Sequence, residues 1–210
     1  KLFAANYAVN NPISQNKPYL YPMQVNEDKK FDTVDYSDQN LSEYEFTDCE
    51  FEGCNFSKTN LTSATFMNCK FNNCNLALAN LKDVGLKDAQ FTDCKLMGLD
   101  FSVCNNFLFA VGFEKCQLDY STFYGKSMRR TKFIGCSMKD VDFTEVQLSE
   151  SIFTSSDLNG ATFSRSVLEK ADFRLAKNYI IDPEQNKIKK AKFSTEGIAG
   201  LLANYNLEID

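Results

Sequence analysis

Residues 48–76 read DCEFEGCNFSKTNLTSATFMNCKFNNCNL, and a large apolar residue stands at every fifth position of this stretch. These residues are Phe51, Phe56, Leu61, Phe66, Phe71 and Leu76. An amphipathic helix repeats its apolar face with a period near 3.6 residues, and a strand repeats it with a period of 2. A period of five matches neither, so the stretch predicts a structure built from short repeated units.

The period extends over most of the chain in two registers. The first register contains Phe31, Tyr36, Leu41, Phe46, Phe51, Phe56, Leu61, Phe66, Phe71, Leu76, Leu81, Leu86, Phe91, Leu96 and Phe101. After a two-residue slip near Asn106 and Phe107, the second contains Leu108, Phe113, Leu118, Phe123, Met128, Phe133, Met138, Phe143, Leu148, Phe153, Leu158, Phe163, Leu168 and Phe173. A break at 177–187 precedes Ile188 and Phe193, which are in phase with the second register. A small residue usually stands two positions before each large one, and the remaining positions are mostly polar. The pattern therefore predicts that each five-residue unit has two side chains facing the core and three that can face solvent.

The segments ATFMNCKFNNCNLALANLKD and SDLNGATFSRSVLEKADF resemble the pentapeptide-repeat family, whose units approximate A(D/N)LXX. The resemblance covers residues 31–193. It implies an all-β fold, a right-handed quadrilateral β-helix in which four units make one square coil. About seven coils are expected, followed by a short C-terminal capping helix.

All eight cysteines stand at the small-residue position: Cys49, Cys54, Cys69, Cys74, Cys94, Cys104, Cys116 and Cys136. With about twenty residues per coil, three groups should stack: Cys54, Cys74 and Cys94; Cys49 and Cys69; Cys116 and Cys136. A thiol is a compact core residue. The C-x4-C spacing and the absence of histidine argue against a metal site, and the parallel side chains argue against disulfides. We therefore interpret the cysteines as core packing in a reducing cytoplasm.

The two ends of the chain lack the five-residue period. Residues 1–30 are interpreted as an N-terminal arm or cap. In residues 194–210, helical spacing gives an apolar stripe, with Ser194 as the expected N-cap. The candidate contact residues in this region are Ile198, Leu201, Leu202, Tyr205, Leu207 and Ile209. They would cover the last coil, form a symmetric dimer contact, or do both.

Composition argues against an enzyme. The chain has no histidine, and a solid core leaves no pocket in which polar groups could converge. We therefore predict no catalytic residue, cofactor or metal. The net charge of −5 gives no reason to expect nucleic acid or a membrane as a partner. Acids cluster early in the repeat, at Asp35, Asp38, Glu43, Glu45, Asp48, Glu50 and Glu52.

The tail IDPEQNKIKKAKFSTEGIAGLLANYNLEI resembles the end of the quinolone-resistance (Qnr-like) branch of the family. The resemblance implies a cytoplasmic homodimer, joined through its C-terminal end, that mimics B-form DNA. The implied partner is DNA gyrase or topoisomerase IV, with possible protection from quinolones. The early acidic residues would supply the mimicry, although they would equally serve as a solvated end of the solenoid. Lys126, Arg129, Arg130 and Lys132 make the middle of the chain basic, which favours the alternative of a structural or scaffold protein with an unrelated protein partner.

Overall fold

The computed structural model describes residues 24–205 and 207–208 as one parallel β-solenoid with square coils. Its ten strands are β1 (Val25–Glu27), β2 (Lys30–Asp32), β3 (Glu45–Thr47), β4 (Glu50–Glu52), β5 (Thr65–Met67), β6 (Lys70–Asn72), β7 (Gly85–Thr92), β8 (Phe109–Glu114), β9 (Lys132–Ile134) and β10 (Ile152–Thr154). Two 3-10 helices (Phe101–Val103 and Ala203–Tyr205) and one α-helix, α1 (Ala199–Leu202), complete the secondary structure of these residues. The predicted fold is confirmed.

Each square coil has four sides, which we number by their central residues. Sides 1 and 2 are centred on residues such as Phe46 and Phe51, and their strands pair in parallel with residues twenty positions away. Sides 3 and 4 are centred on residues such as Phe56 and Leu61, and single parallel bridges join them to the next coil. Pairing already begins at β1, opposite β3, so the ladder extends N-terminal to the expected start at residue 31.

Stacked aromatic rings fill the interior of side 2. They are Phe31, Phe51, Phe71, Phe91, Phe113, Phe133, Phe153, Phe173 and Phe193, with centroids 4.6 to 5.5 Å apart. Rings on adjacent sides meet edge to face, as Phe46 and Phe51 do at 5.3 Å. Both arrangements are favourable for aromatic pairs. Nine stacked rings correspond to eight turns from one coil to the next, slightly more than the seven coils expected.

The small-residue positions form columns of their own beside the rings. On side 3, five cysteines and a serine follow one another: Cys54, Cys74, Cys94, Cys116, Cys136 and Ser156. The two expected groups, Cys54 to Cys94 and Cys116 with Cys136, join in this one column, because the two extra residues near position 106 bring the second register back into line with the first. Each thiol in this column donates to a carbonyl of the coil below, that is, the neighbouring coil on the N-terminal side, as Cys74 does to Phe51 (3.4 Å).

The corners of the square are made by polar residues in the left-handed backbone region. Asp48, Asn68 and Asp88 occupy the same corner of successive coils, with φ between 54° and 55°. Short polar side chains tolerate this conformation better than apolar ones. This backbone requirement accounts for the polar positions in each five-residue unit.

The two-residue slip appears as a register shift between β7 and β8, where Leu86 faces Phe109 and Phe91 faces Phe113. The extra residues form a loop that leaves Phe107 94% exposed. Lys126 stabilises this loop from within the core, since its ammonium group donates to the carbonyl of Cys104 and to Oδ1 of Asn106. Of the four bases in the middle of the chain, Lys126 is therefore buried and adds no exposed charge.

Candidate partner-binding surface

The seven early acids surround the rod instead of lining one side. Asp35 lies on side 3, Glu45 on side 1 and Glu52 on side 2, while Asp38, Glu43 and Asp48 occupy three different corners. Each position is exposed or half-buried. Hydrogen bonds from Ser37 and Asn55 lower the pKa of Asp35. Glu50 pairs with Lys70 at 3.2 Å, and Glu52 accepts from Asn73 at 2.8 Å. Together these residues form an acidic collar at the N-terminal end.

Side 4 carries most of the acidic excess along the length of the rod. Counted with its two corners, it has seven acids (Asp38, Glu43, Asp83, Asp100, Asp140, Asp142 and Glu145) and three bases (Lys58, Lys82 and Arg165). Arg165 lies 2.9 Å from Glu145 and is one of the charges that lowers the pKa of that carboxyl, after the hydrogen bond from Tyr124. Counted in the same way, with their corners, the other sides are less acidic, with a net charge of −2 on side 1 and −1 on each of sides 2 and 3. Of the four sides, side 4 therefore best matches a partner with a basic surface.

The wall of side 4 opens between the coils that contain Asn80 and Asp100. One coil below, the amide of Leu61 donates to Asn80 (3.1 Å), and one coil above, the amide of Phe101 donates to Thr122 (2.9 Å). Bridges join Asn60 to Asn80 and Asp100 to Thr122, but none of those in the described residues joins Asn80 to Asp100. The amides of Leu81 and Asp100 likewise donate to no carbonyl of the neighbouring coil in this part of the chain.

Two features of the sequence account for this opening. Leu99 occupies a small-residue position where neighbouring coils have Ala79 and Ser121, and it is buried. Its extra volume must be accommodated in a close-packed core. In addition, an asparagine ladder runs from Asn40 through Asn60 to Asn80, with bonds of 2.9 and 3.2 Å. The next position is Asp100, whose carboxylate has no hydrogen to donate to Asn80.

The result is an open cleft of about 590 Å³ on side 4. It is lined by Leu78, Ala79, Asn80, Leu81, Lys82, Asp83, Gly98, Asp100 and Val103. Leu78 (62% exposed) and Val103 (43%) border it with apolar surface. Leu78 has a φ of +60°, which is unusual for a bulky residue, and a Cβ on Gly98 would come within 3.3 Å of it. The side chain of Leu78 thus extends over the gap left by the glycine.

Sequence reasoning located the two-residue slip but missed this cleft. The signals were a leucine, Leu99, at a small-residue position, and a second, Leu78, at a corner where most other coils have a charged residue or glycine. Both are visible in the repeat pattern once the columns are aligned at twenty residues.

The C-terminal stripe divides between two environments. Leu201 packs against the core cluster and covers the last coil, whereas Ile198 (51%), Tyr205 (46%) and Leu207 (56%) are exposed. Leu202 is half-buried, and Ile209 lies outside the described residues. The helix is shorter than the stripe suggests, and Ser194 caps the turn before it by accepting from the amide of Gly197 (3.1 Å).

The C-terminal helix is attached to the turn at 182–186. Asn204 donates to Asp182 at 3.1 Å, and Tyr205 donates to Glu184 at 3.1 Å. A Cβ on Gly200 would overlap the carbonyl oxygen of Tyr179, so glycine is needed for this close approach.

Among the described residues, no group of three or more acids or cysteines is placed to hold a metal ion. A cavity inside the rod, near Leu99 and Phe101, measures about 10 Å³. Within the same residues, no helix has the length and apolar character to cross a membrane.

Comparison with protein-family models gives three matches, all to pentapeptide repeats. They are a pentapeptide repeat region over residues 64–133, pentapeptide repeats (9 copies) over 118–162, and pentapeptide repeats (8 copies) over 40–83. The chain belongs to the pentapeptide-repeat family. A search of curated proteins gives no match.

Two solved structures of QnrB1 share the fold. A trypsin-treated variant of QnrB1, a plasmid-mediated fluoroquinolone resistance protein, is 16% identical, with a TM-score of 0.58 over 90% of this chain and 98% of its own. Full-length QnrB1 is 17% identical, with a TM-score of 0.54 over 88% and 98%. HetL, from the cyanobacterium Nostoc sp. strain PCC 7120, is 16% identical, with a TM-score of 0.41 over 80% and 84%.

Proposed function

We propose that this pentapeptide-repeat protein is not an enzyme and acts by binding a type II topoisomerase, DNA gyrase or topoisomerase IV, as a mimic of B-form DNA. The observation that carries the proposal is the acidic excess of side 4, seven acids against three bases along a rod. A site that neutralises phosphates with lysine and arginine would attract such a surface. The fold shared with QnrB1, described as a fluoroquinolone resistance protein, is consistent with this partner.

The mimicry we propose uses side 4 together with the N-terminal collar. Asp38 and Glu43 belong to both surfaces, so they join the collar to the acidic side. The exposed bases Arg129, Arg130 and Lys132 lie on sides 1 and 2, away from side 4. A partner that contacts side 4 would therefore avoid these positive charges.

The proposal is tested by a gyrase supercoiling assay, with and without a fluoroquinolone, in which the purified protein is titrated. We expect inhibition, or relief of drug inhibition, at up to micromolar protein. A triple variant, Asp38→Lys, Glu43→Lys and Asp140→Lys, should weaken the effect at least tenfold, because like charges then meet. Lysine fits these corners, since Lys58 and Lys170 already occupy the same backbone conformation.

The matched control is the triple variant Asp28→Lys, Asp88→Lys and Asp93→Lys, whose residues lie outside the collar. It makes the same change in net charge, at corners of the same conformation, away from side 4. It should retain most of the activity. Equal loss in both variants would contradict a role specific to side 4, and no effect of the wild-type protein on either topoisomerase would contradict the proposed partner.

A scaffold role with an unrelated protein partner is the second candidate. It is favoured by the smaller net charge of the other three sides, between −1 and −2 when counted with their corners, which differs from a uniformly acidic mimic. Under this alternative the wild-type protein leaves both topoisomerases unaffected.

A further inference from the structure

We propose that the cleft on side 4 is a binding pocket for an arginine side chain presented by an extended segment of a partner protein. The inference rests on the proposed function only in that the partner is a protein; it does not depend on which protein. The side chain would enter between the coils that contain Asn80 and Asp100, where the wall of the solenoid is open.

The shape of the cleft suits a side chain with an aliphatic stem. Leu78 and Val103, both exposed, stand on opposite corners of side 4 and provide apolar surface at its border. Exposed apolar side chains beside a concave surface are typical of interaction sites. The bulky Leu78 also occupies a corner at positive φ, a conformation that the coil requires there and that short polar residues or glycine adopt more readily.

The polar groups of the cleft suit a guanidinium group. Oδ1 of Asp83 accepts only from Asn105 (3.3 Å), and Oδ1 of Asp100 accepts from the amide and hydroxyl groups of Ser102. Their Oδ2 atoms accept no hydrogen bond within the described residues. The carbonyl of Ala79 is also without a backbone donor from the coil above in this part of the chain. Guanidinium carries five N–H donors in a planar fork, and it is more weakly hydrated than an ammonium group.

The backbone groups of the cleft suit a peptide. The amides of Leu81 and Asp100 have lost the carbonyl partners that their equivalents have in adjacent coils. A peptide group beside the arginine supplies both a donor and an acceptor. Lys82 also lines the cleft, but its exposed side chain extends from the outer surface of side 4. The two carboxylates leave the site with a net charge of −1, which favours a cationic side chain.

The test uses nuclear magnetic resonance of the full, ¹⁵N-labelled chain, with N-acetyl-L-arginine N-methylamide as the probe. We expect saturable shifts of the amides of residues 78–83 and 98–103, with a dissociation constant of about 1–10 mM, as befits a small ligand. The citrulline analogue has the same shape without the charge, and it should bind at least about fivefold more weakly.

Two variants measure separately how much the charge and the apolar surface of the cleft contribute to binding. Asp83→Asn and Val103→Ser should each weaken arginine binding about three- to tenfold, whereas Asp140→Asn, an acid on the same side away from the cleft, should not. The absence of saturable shifts, equal binding of the citrulline analogue, or equal effects of Asp83→Asn and Asp140→Asn would overturn the proposal. The result is separate from the supercoiling assay, since either experiment can succeed when the other fails.

Discussion

At the scale of single residues, the small-residue position decides how closely the coils pack. Thiols, hydroxyls and methyl groups alternate there, and the polar ones donate to a carbonyl of the coil below. Ser151 donates to Met128 (2.8 Å) much as Cys69 donates to Phe46 (3.4 Å). Leu99 and Lys126 depart from this rule, and both lie next to the two-residue slip. Residues that are too large for the small-residue position thus lie where the wall of the solenoid is also irregular.

The buried thiols should make stability fall at alkaline pH. Burial raises the pKa of Cys69 to about 12 and that of Cys104 to about 12, from an ordinary value of 9.0. Between pH 9 and 12 the folded state therefore holds more protons than the unfolded state, and its stability decreases as pH rises. Each such thiol contributes a slope of about 1.4 kcal/mol per pH unit. Urea unfolding at pH 7.5, 9, 10 and 11 measures this.

The variant Cys69→Ser isolates one thiol. Serine keeps a donor at this position, as Ser151 shows in the same column, so stability at pH 7.5 should change by only about 1 kcal/mol. The decline above pH 9 should be shallower by about 1.4 kcal/mol per pH unit. Parallel curves for the variant and the wild type would show that Cys69 does not contribute to the decline.

Replacing Lys126 by methionine should destabilise the protein by about 1–3 kcal/mol, because the buried carbonyl of Cys104 and the side-chain oxygen of Asn106 lose their donor. Burial lowers the pKa of the Lys126 ammonium, yet its hydrogen bonds and the ring of Phe109 at 5.2 Å stabilise the charge. Chemical denaturation measures the effect. Lys132→Met, on the exposed surface of side 2, is the control and should stay within about 0.5 kcal/mol of the wild type.

At the scale of elements, the corners show how the backbone turns within each coil, and the C-terminal cap shows how the repeat ends. Most corner residues adopt positive φ, and the last coil is covered by a helix that needs Gly200 against Tyr179. The cost of that close fit is visible in Tyr179, whose buried hydroxyl has no hydrogen-bond partner in the described residues. Burial also raises its pKa.

Removing this hydroxyl should stabilise the cap. Tyr179→Phe eliminates a buried polar group without a partner, so the free energy of unfolding should rise by about 1 kcal/mol. Thermal or urea unfolding measures it. Tyr205→Phe, whose exposed hydroxyl donates to Glu184, should change stability by less than about 0.5 kcal/mol in either direction. Loss of stability in Tyr179→Phe would show that the hydroxyl is hydrogen-bonded in solution.

At the scale of the whole molecule, the proposed assembly involves two separate surfaces of the rod, the acidic side 4 and the C-terminal end. The coils contact only their neighbours, so the stability of the rod is close to a sum over adjacent coils. A feature at one end therefore has little effect on the middle. Dimerisation through the cap and partner binding on side 4 can be tested separately for this reason.

A C-terminal dimer should depend on the exposed part of the stripe. The double variant Ile198→Asp and Leu207→Asp places charges in any contact made by these exposed side chains, and it should convert a dimer to a monomer at about 10 µM protein. Sedimentation velocity measures the change. Tyr120→Asp, a charge at a 64% exposed corner in the middle of the rod, is the control and should leave the dimer intact. A monomeric wild-type protein at this concentration would refute the dimer.

The sequence determined the fold of this protein by itself, because each five-residue unit states locally which side chains face inward and which form a corner. Phe51 and Phe71 have to stack once four units close a square, and no distant contact is needed to specify it. The slip near Phe107 and the packing of the cysteines followed from the same local pattern.

Only the tertiary structure decided which residues share a surface, since neighbours on one side are twenty or more positions apart. The acids that seem clustered between Asp35 and Glu52 surround the rod, whereas Asp83, Asp100 and Asp140 come together on side 4. The stacking of the coils also places Lys126 in the core and leaves the cleft above Asn80 open. A bulky side chain acts on the coil stacked beside it and not on its sequence neighbours.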